Sequence, residues 1–100
     1  MRFWDKREPV SAQREVRITN ALGLHARPAA EFVKRAKHSR SEIWVVKDGQ
    51  RYSASSLIDI LRANLDCGAT ATLEAHGVDA NEVLDDLEKA LAEFHEREKS

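Results

Sequence analysis

Gly23-Leu24-His25-Ala26-Arg27-Pro28-Ala29-Ala30 takes the chain out of a short loop and into a helix. Gly23 has no Cβ to restrict φ, so the backbone can turn tightly beside the imidazole of His25. Pro28 pre-sets a helical φ near the helix start and gives up an N–H that would have been unpaired there. The remaining N–H groups of that first turn, with the positive end of the helix dipole, point towards His25 and make an anion site. A nucleophilic imidazole beside an anion site suits one chemistry above others, the holding of a phosphoryl group on nitrogen.

Outward from this stretch the periodicity is clear. From Ala26 to His38 the residues Ala29, Phe32, Val33 and Ala36 fall on one helical face, with Lys34, Arg35 and Lys37 left to solvent. Before it, a strand is expected from about Arg14 to Asn20, with Val16 and Ile18 on one side. After it, Glu42 to Lys47 is rich in β-formers, Asp48-Gly49 signals a hairpin, and a short strand returns over Gln50 to Ser53. Ser56 stands where a helix N-cap belongs, ahead of Leu57, Ile58, Ile60 and Leu61. Thr70 to Ala75 alternates as a strand and Gly77 breaks it. Asp79 or Ala80 starts a final helix, with Val83, Leu84, Leu87, Leu91 and Phe94 at helical spacing. The order β-α-β-β-α-β-α suits an α+β fold, an antiparallel sheet with helices packed on one face. Residues 1–13 read as a flexible or loosely docked extension, 14–97 as one domain and 98–100 as a tail.

Composition narrows the function classes. The 100 residues suffice for one domain, and 33% charged against 42% hydrophobic is a soluble, globular balance. Sixteen Lys and Arg against seventeen Asp and Glu leave a net charge of -1, so a global basic field for nucleic acid is absent. Cys67 is the lone cysteine, which excludes an internal disulfide and any cysteine-pair metal site. No apolar run spans a membrane and Met1 to Ala12 lacks the core of a signal peptide, so a reducing cytoplasm is expected. No metal or cofactor is expected.

The stretch Gly23 to Ala30 resembles the phosphorylation-site motif of the histidine-containing phosphocarrier (HPr) family of the bacterial phosphotransferase system. Ser53-Ala54-Ser55-Ser56-Leu57-Ile58 resembles that family's second landmark, a regulatory serine opening a short helix, and the resemblance runs from about Glu15 to Phe94. It implies an open-faced β-sandwich, a four-stranded antiparallel sheet with three helices on one face. It also implies a carrier rather than an enzyme. His25 would take the phosphoryl group on Nδ1 from enzyme I and hand it to IIA-type acceptors in sugar uptake. Ala26 and Arg27 would be the backbone donors to the phosphate, and the Arg27 guanidinium would add charge-assisted bonds.

Two further expectations follow. Leu57, Ile58, Ile60 and Leu61 cannot all face inward on two helical turns, so some should form an exposed apolar docking patch. Ala30, Lys34, Lys37 and Arg62 would ring it. Ser56 has two readings, a helix cap or the substrate of a serine kinase. Ser55, Asp59 and Asn64 depart from the residues of many relatives and weaken the second. His38, His76 and His95 read as surface residues, His95 in a frayed terminal turn.

Rival functions remain open at this point. One is a regulatory carrier of a nitrogen-related phosphotransferase branch, which Ile18 to Gly23 resembles equally well. Another is a binding module whose phosphorylated Ser56 docks a transcription regulator; the best-known homologue of that kind lacks the histidine. A nucleic-acid-binding domain is poorly supported, since only Trp44 and Tyr52 are aromatic on the strands. A monomer is expected.

Overall fold

The computed structural model describes residues 8–99. Its elements are β1 (Val10–Arg17), α1 (Ala26–Lys37), β2 (Ser41–Lys47), β3 (Gln50–Ser53), α2 (Leu57–Arg62), β4 (Thr70–Gly77) and α3 (Ala80–Lys99). The strands form one sheet in the order β1-β4-β2-β3, with every neighbouring pair antiparallel. The helices cover one face, which is the open-faced sandwich expected.

Alternation explains the layering. Ala71, Leu73 and Ala75 of β4 and Ile43 and Val45 of β2 point to the helices and are buried. Thr72, Glu74 and His76 take the opposite face. Phe32, Val33 and Ala36 of α1 and Leu84, Leu87, Leu91 and Phe94 of α3 close the core over Val16 and Ile18. The hairpin between β2 and β3 turns through Asp48 (φ 52) and Gly49 (φ 79), the positive pair that a two-residue hairpin needs.

The bounds of β1, β4 and α3 differ from the sequence expectation. β1 starts at Val10 rather than Arg14, so Val10 to Gln13, expected in the extension, pair with Gly77, His76, Ala75 and Glu74. The cause is β4, which runs on through Gly77 and offers those residues partners; Ser11 and Gln13 carry no apolar signal of their own. At the other end α3 continues to Lys99, so Glu98 and Lys99 of the expected tail are helical and His95 does not lie in a frayed turn. Residues 1–7, including Phe3 and Trp4 of the expected extension, lie outside the described residues.

Arg35, expected in solvent, is half-buried because α3 packs alongside and offers it carboxylates. It donates to Glu31, Asp86 and Glu93 at 3.1, 3.3 and 2.7 Å. Arg14, on the helix side of β1, reaches Asp85 and Glu88 at 2.6 and 2.7 Å.

α2 is short and held at both ends. Ser56 Oγ accepts from Asp59 N at 3.2 Å, and the Asp59 carboxylate accepts from Ser53 N at 3.0 Å. At its C-terminus Lys47 Nζ donates to the carbonyls of Ala63 and Asn64 at 3.0 and 2.9 Å.

Gly23 has φ +65, and a Cβ there would lie 2.7 Å from Leu65 O and 2.9 Å from Asp66 Cα. Both contacts are to backbone, so no side-chain rotation relieves them. Gly23→Ala is therefore expected to cost about 2 kcal/mol or more. A thermal melt should show the midpoint lowered by roughly 8 °C or more.

Candidate functional site

His25 is the N-cap of α1, with φ -74 and ψ -176, and its ring makes no capping hydrogen bond. Instead its carbonyl accepts from Ala29 N at 2.9 Å, which opens the helix. Leu24 anchors the approach: its side chain is buried and its N–H donates to Leu65 O at 2.9 Å. With Leu24 turned inward, His25, Ala26 and Arg27 are all exposed. Pro28 brings no N–H and Ala29's is spent on His25, so Ala26 and Arg27 carry the other N–H groups of the first turn. That turn holds no acidic residue. An anion on the His25 ring would meet the positive end of the helix and the Arg27 guanidinium.

The loop in front of His25 is built more firmly than the sequence suggested. Asn20 is buried, with 2% of its surface exposed. Its carbonyl accepts from Gly23 N at 3.0 Å and its Nδ2 donates to Gly23 O at 2.7 Å. From α3, Glu98 accepts from Asn20 Nδ2 at 2.8 Å and from Leu22 N at 3.0 Å. These bonds hold the Glu98 carboxyl below the usual range, the Leu22 N–H being the larger cause and the Asn20 amide the next. His25, Arg27, Pro28, Phe94, Arg97 and Glu98 enclose a shallow cleft of about 230 Å³. Arg97 is itself tied to Glu31 at 2.9 Å. His95 donates from Nδ1 to Thr19 O at 3.2 Å.

Sequence reading missed Asn20, Arg97 and Glu98. Asn20 three residues before Gly23 is a turn signal that could have been found. Nothing in the sequence marks Glu98, because its partners lie more than seventy residues away.

A second surface lies beside the first. Of the four apolar residues of α2 only Ile60 is buried; Leu57, Ile58 and Leu61 are 38%, 68% and 39% exposed. Leu57 lines a groove with Ala30, Val33, Lys34, Lys37 and His38, and Arg62 is exposed on the same short helix. Of the residues expected to form and ring a docking patch, Ala30, Lys34, Lys37 and Leu57 line this groove, while Ile58, Leu61 and Arg62 are exposed on the same short helix as Leu57.

The remaining histidines are used locally. His38 bonds Lys34 O at 2.7 Å, and His76 bonds Ser11 Oγ at 2.8 Å. Among the described residues no group of His, Cys, Asp and Glu could hold a metal ion, and no helix is long and apolar enough to cross a membrane. On the bare face of the sheet Arg51 lies 4.4 Å over the Trp44 ring, so that aromatic is covered by the chain's own cation.

Comparison with known proteins agrees with this geometry. Residues 12–93 match the family model described as the PTS HPr component phosphorylation site. The chain is 41% identical over 82 residues to the phosphocarrier protein HPr of Buchnera aphidicola subsp. Acyrthosiphon pisum, covering 82% of this chain and 96% of that one. It is 36% identical over 86 residues to the HPr-like protein Crh of Halalkalibacterium halodurans, covering 86% and 98%. The crystal structure of HPr from Bacillus anthracis superposes with a TM-score of 0.77 at 34% identity, over 80% of this chain and 95% of that chain. Fold, motif and sequence similarity converge: the chain belongs to the HPr phosphocarrier family of the phosphotransferase system.

Proposed function

We propose that this protein accepts a phosphoryl group on His25 from enzyme I and passes it to IIA-type acceptors in sugar uptake. The observation that carries the reading is the placing of His25: exposed, at the head of α1, with no capping bond on its ring and Arg27 two residues away. Nδ1 attacks the phosphorus of a phosphohistidine on the donor. The Nδ1–P bond forms as the donor's N–P bond breaks, the electron pair returns to the donor nitrogen, and His25 keeps its Nε2–H throughout. Ala26 N, Arg27 N and the Arg27 guanidinium take the phosphoryl oxygens. The return step is the same reaction with an acceptor nucleophile in place of the donor. An exposed site suits this, since two partners must reach it in turn. With enzyme I as donor, the protein works in the cytoplasm.

Leu57, Ile58 and Leu61 form the apolar centre of the docking surface, with Lys34, Lys37 and Arg62 meeting acidic partner residues at its rim. Both partners use it, one after the other. In this reading Ser56 is a cap and not a switch. The Asp59 carboxylate already sits over the same helix end, so a phosphoryl group on Ser56 would meet a resident negative charge.

Labelled phosphoenolpyruvate with enzyme I tests the reading. Acid-labile label on the wild type and none on His25→Ala is expected; no label on the wild type with an active enzyme I refutes it. Ile58→Glu should raise the KM for labelling by enzyme I about tenfold with kcat little changed, because the side chain is exposed and outside the reacting centre. Ser56→Ala should cost about 1 kcal/mol in denaturant unfolding, as loss of a cap does, and leave labelling intact.

A further inference from the structure

The family match ends at residue 93, yet α3 continues to Lys99 and lays its last turn against the His25 loop. We propose that Glu98, in this last turn, is a positioning residue for phosphoryl transfer at His25. The inference rests on the carrier reading above.

Each oxygen of the Glu98 carboxylate takes a different donor of the loop: Oε1 accepts from Leu22 N and Oε2 from Asn20 Nδ2. Asn20 passes the constraint on, since its other N–H holds Gly23 O at 2.7 Å. Gly23 cannot yield, because it is packed against the backbone of Leu65 and Asp66. The path from Glu98 to the backbone two residues before His25 is therefore made of short, directional bonds to a buried amide. Glu98 is itself fixed by its neighbour, Arg97, which bonds Glu31 of α1 at 2.9 and 3.3 Å. The last turn of α3 thus grips both the helix that His25 caps and the loop that leads into it.

The sign of the charge decides the kind of role. A ligand for a phosphoryl dianion should be a donor, and Glu98 is an acceptor lining the same cleft as His25 and Arg27. It acts on the loop, while Arg27 and the helix end act on the phosphate. The carboxyl is ionised and the clamp closed at neutral pH, and its depressed pKa extends that state to lower pH; the clamp is lost as pH falls through the depressed value.

The test uses the full chain, enzyme I and labelled phosphoenolpyruvate, comparing wild type, Glu98→Gln and Glu98→Ala. Glu98→Ala should lower kcat for labelling about tenfold with KM unchanged, a loss of alignment rather than of docking. Glu98→Gln keeps one oxygen for Leu22 N but turns a donor towards Asn20 Nδ2, and should recover only part of that rate. The Leu22 amide gives a signature independent of turnover. Its exchange should quicken in Glu98→Ala, and its resonance in the wild type should titrate below the ordinary glutamate range and cease to do so in Glu98→Gln. Glu98→Ala labelled at the wild-type rate overturns the proposal alone. Faster labelling also overturns it, showing the carboxylate to be an electrostatic barrier. A wild type that takes no label overturns the carrier reading and this proposal with it.

Discussion

Everything at the site depends on the close approach of two loops, the one before α1 and the one after α2. Gly23 sits in a left-handed conformation with its backbone against Leu65 and Asp66, and Leu24 N binds Leu65 O beside it. This contact sets the direction in which the chain enters α1. It turns Leu24 into the core and leaves His25 outside, although the two residues are adjacent. A side chain at Gly23 would push the loops apart and swing the histidine with them. The same contact brings α2 close to α1, so the apolar surface of Leu57 stands beside Ala30 and Val33. One glycine thereby places both His25 and the exposed apolar surface of α2.

Around that contact the polar network is arranged between helices rather than within them. Glu31 and Arg35 of α1 engage Asp86, Glu93 and Arg97 of α3, and Arg14 of β1 engages Asp85 and Glu88. All of these groups keep some contact with water, and pairs of that kind add little to stability one at a time. Their effect is on register. Phe32 of α1 and Leu91 and Phe94 of α3 are buried in the shared core, and a guanidinium shared among carboxylates on both helices adds directional bonds to that non-directional packing. Fixing the two helices in depth decides where the end of α3 falls, and it falls on the His25 loop.

The parts of this arrangement that the sequence discloses are those carried by local chemistry. The turn at Asp48-Gly49, the cap at Ser56 and the helix start at Pro28 each depend on neighbours a few residues away, and each was legible. The division of α2 was legible too, because two turns cannot bury four large residues; only Ile60 turned inward. What was not legible depends on distant partners. Val10 to Gln13 became strand because β4 was there to pair with them. Arg35 left solvent because α3 offered two carboxylates beside Glu31 of its own helix, and Glu98 joined the site because α3 ends against Asn20 and Leu22, more than seventy residues earlier in the chain. A run of charged residues at a chain end carries no period or motif, so a tail and a clamp look alike in sequence.

A carrier faces opposing demands that this geometry reconciles. It must draw a dianion from a donor, and it must not keep it, since every kilocalorie of extra stabilisation on the phosphorylated histidine is added to the barrier of the next transfer. Burying the site among cations would satisfy the first demand and defeat the second. In the proposed role the attraction would come from a helix end and the exposed Arg27, both screened by water, while Arg97 in the same cleft is tied to Glu31 and the acidic Glu98 borders it. Rate must then come from alignment rather than from affinity, which costs the phosphorylated state nothing. That requirement gives a physical reason for so much hydrogen bonding, from Asn20, Glu98 and the Leu65 carbonyl, to be spent on the backbone beside the histidine and none of it on capping by its ring.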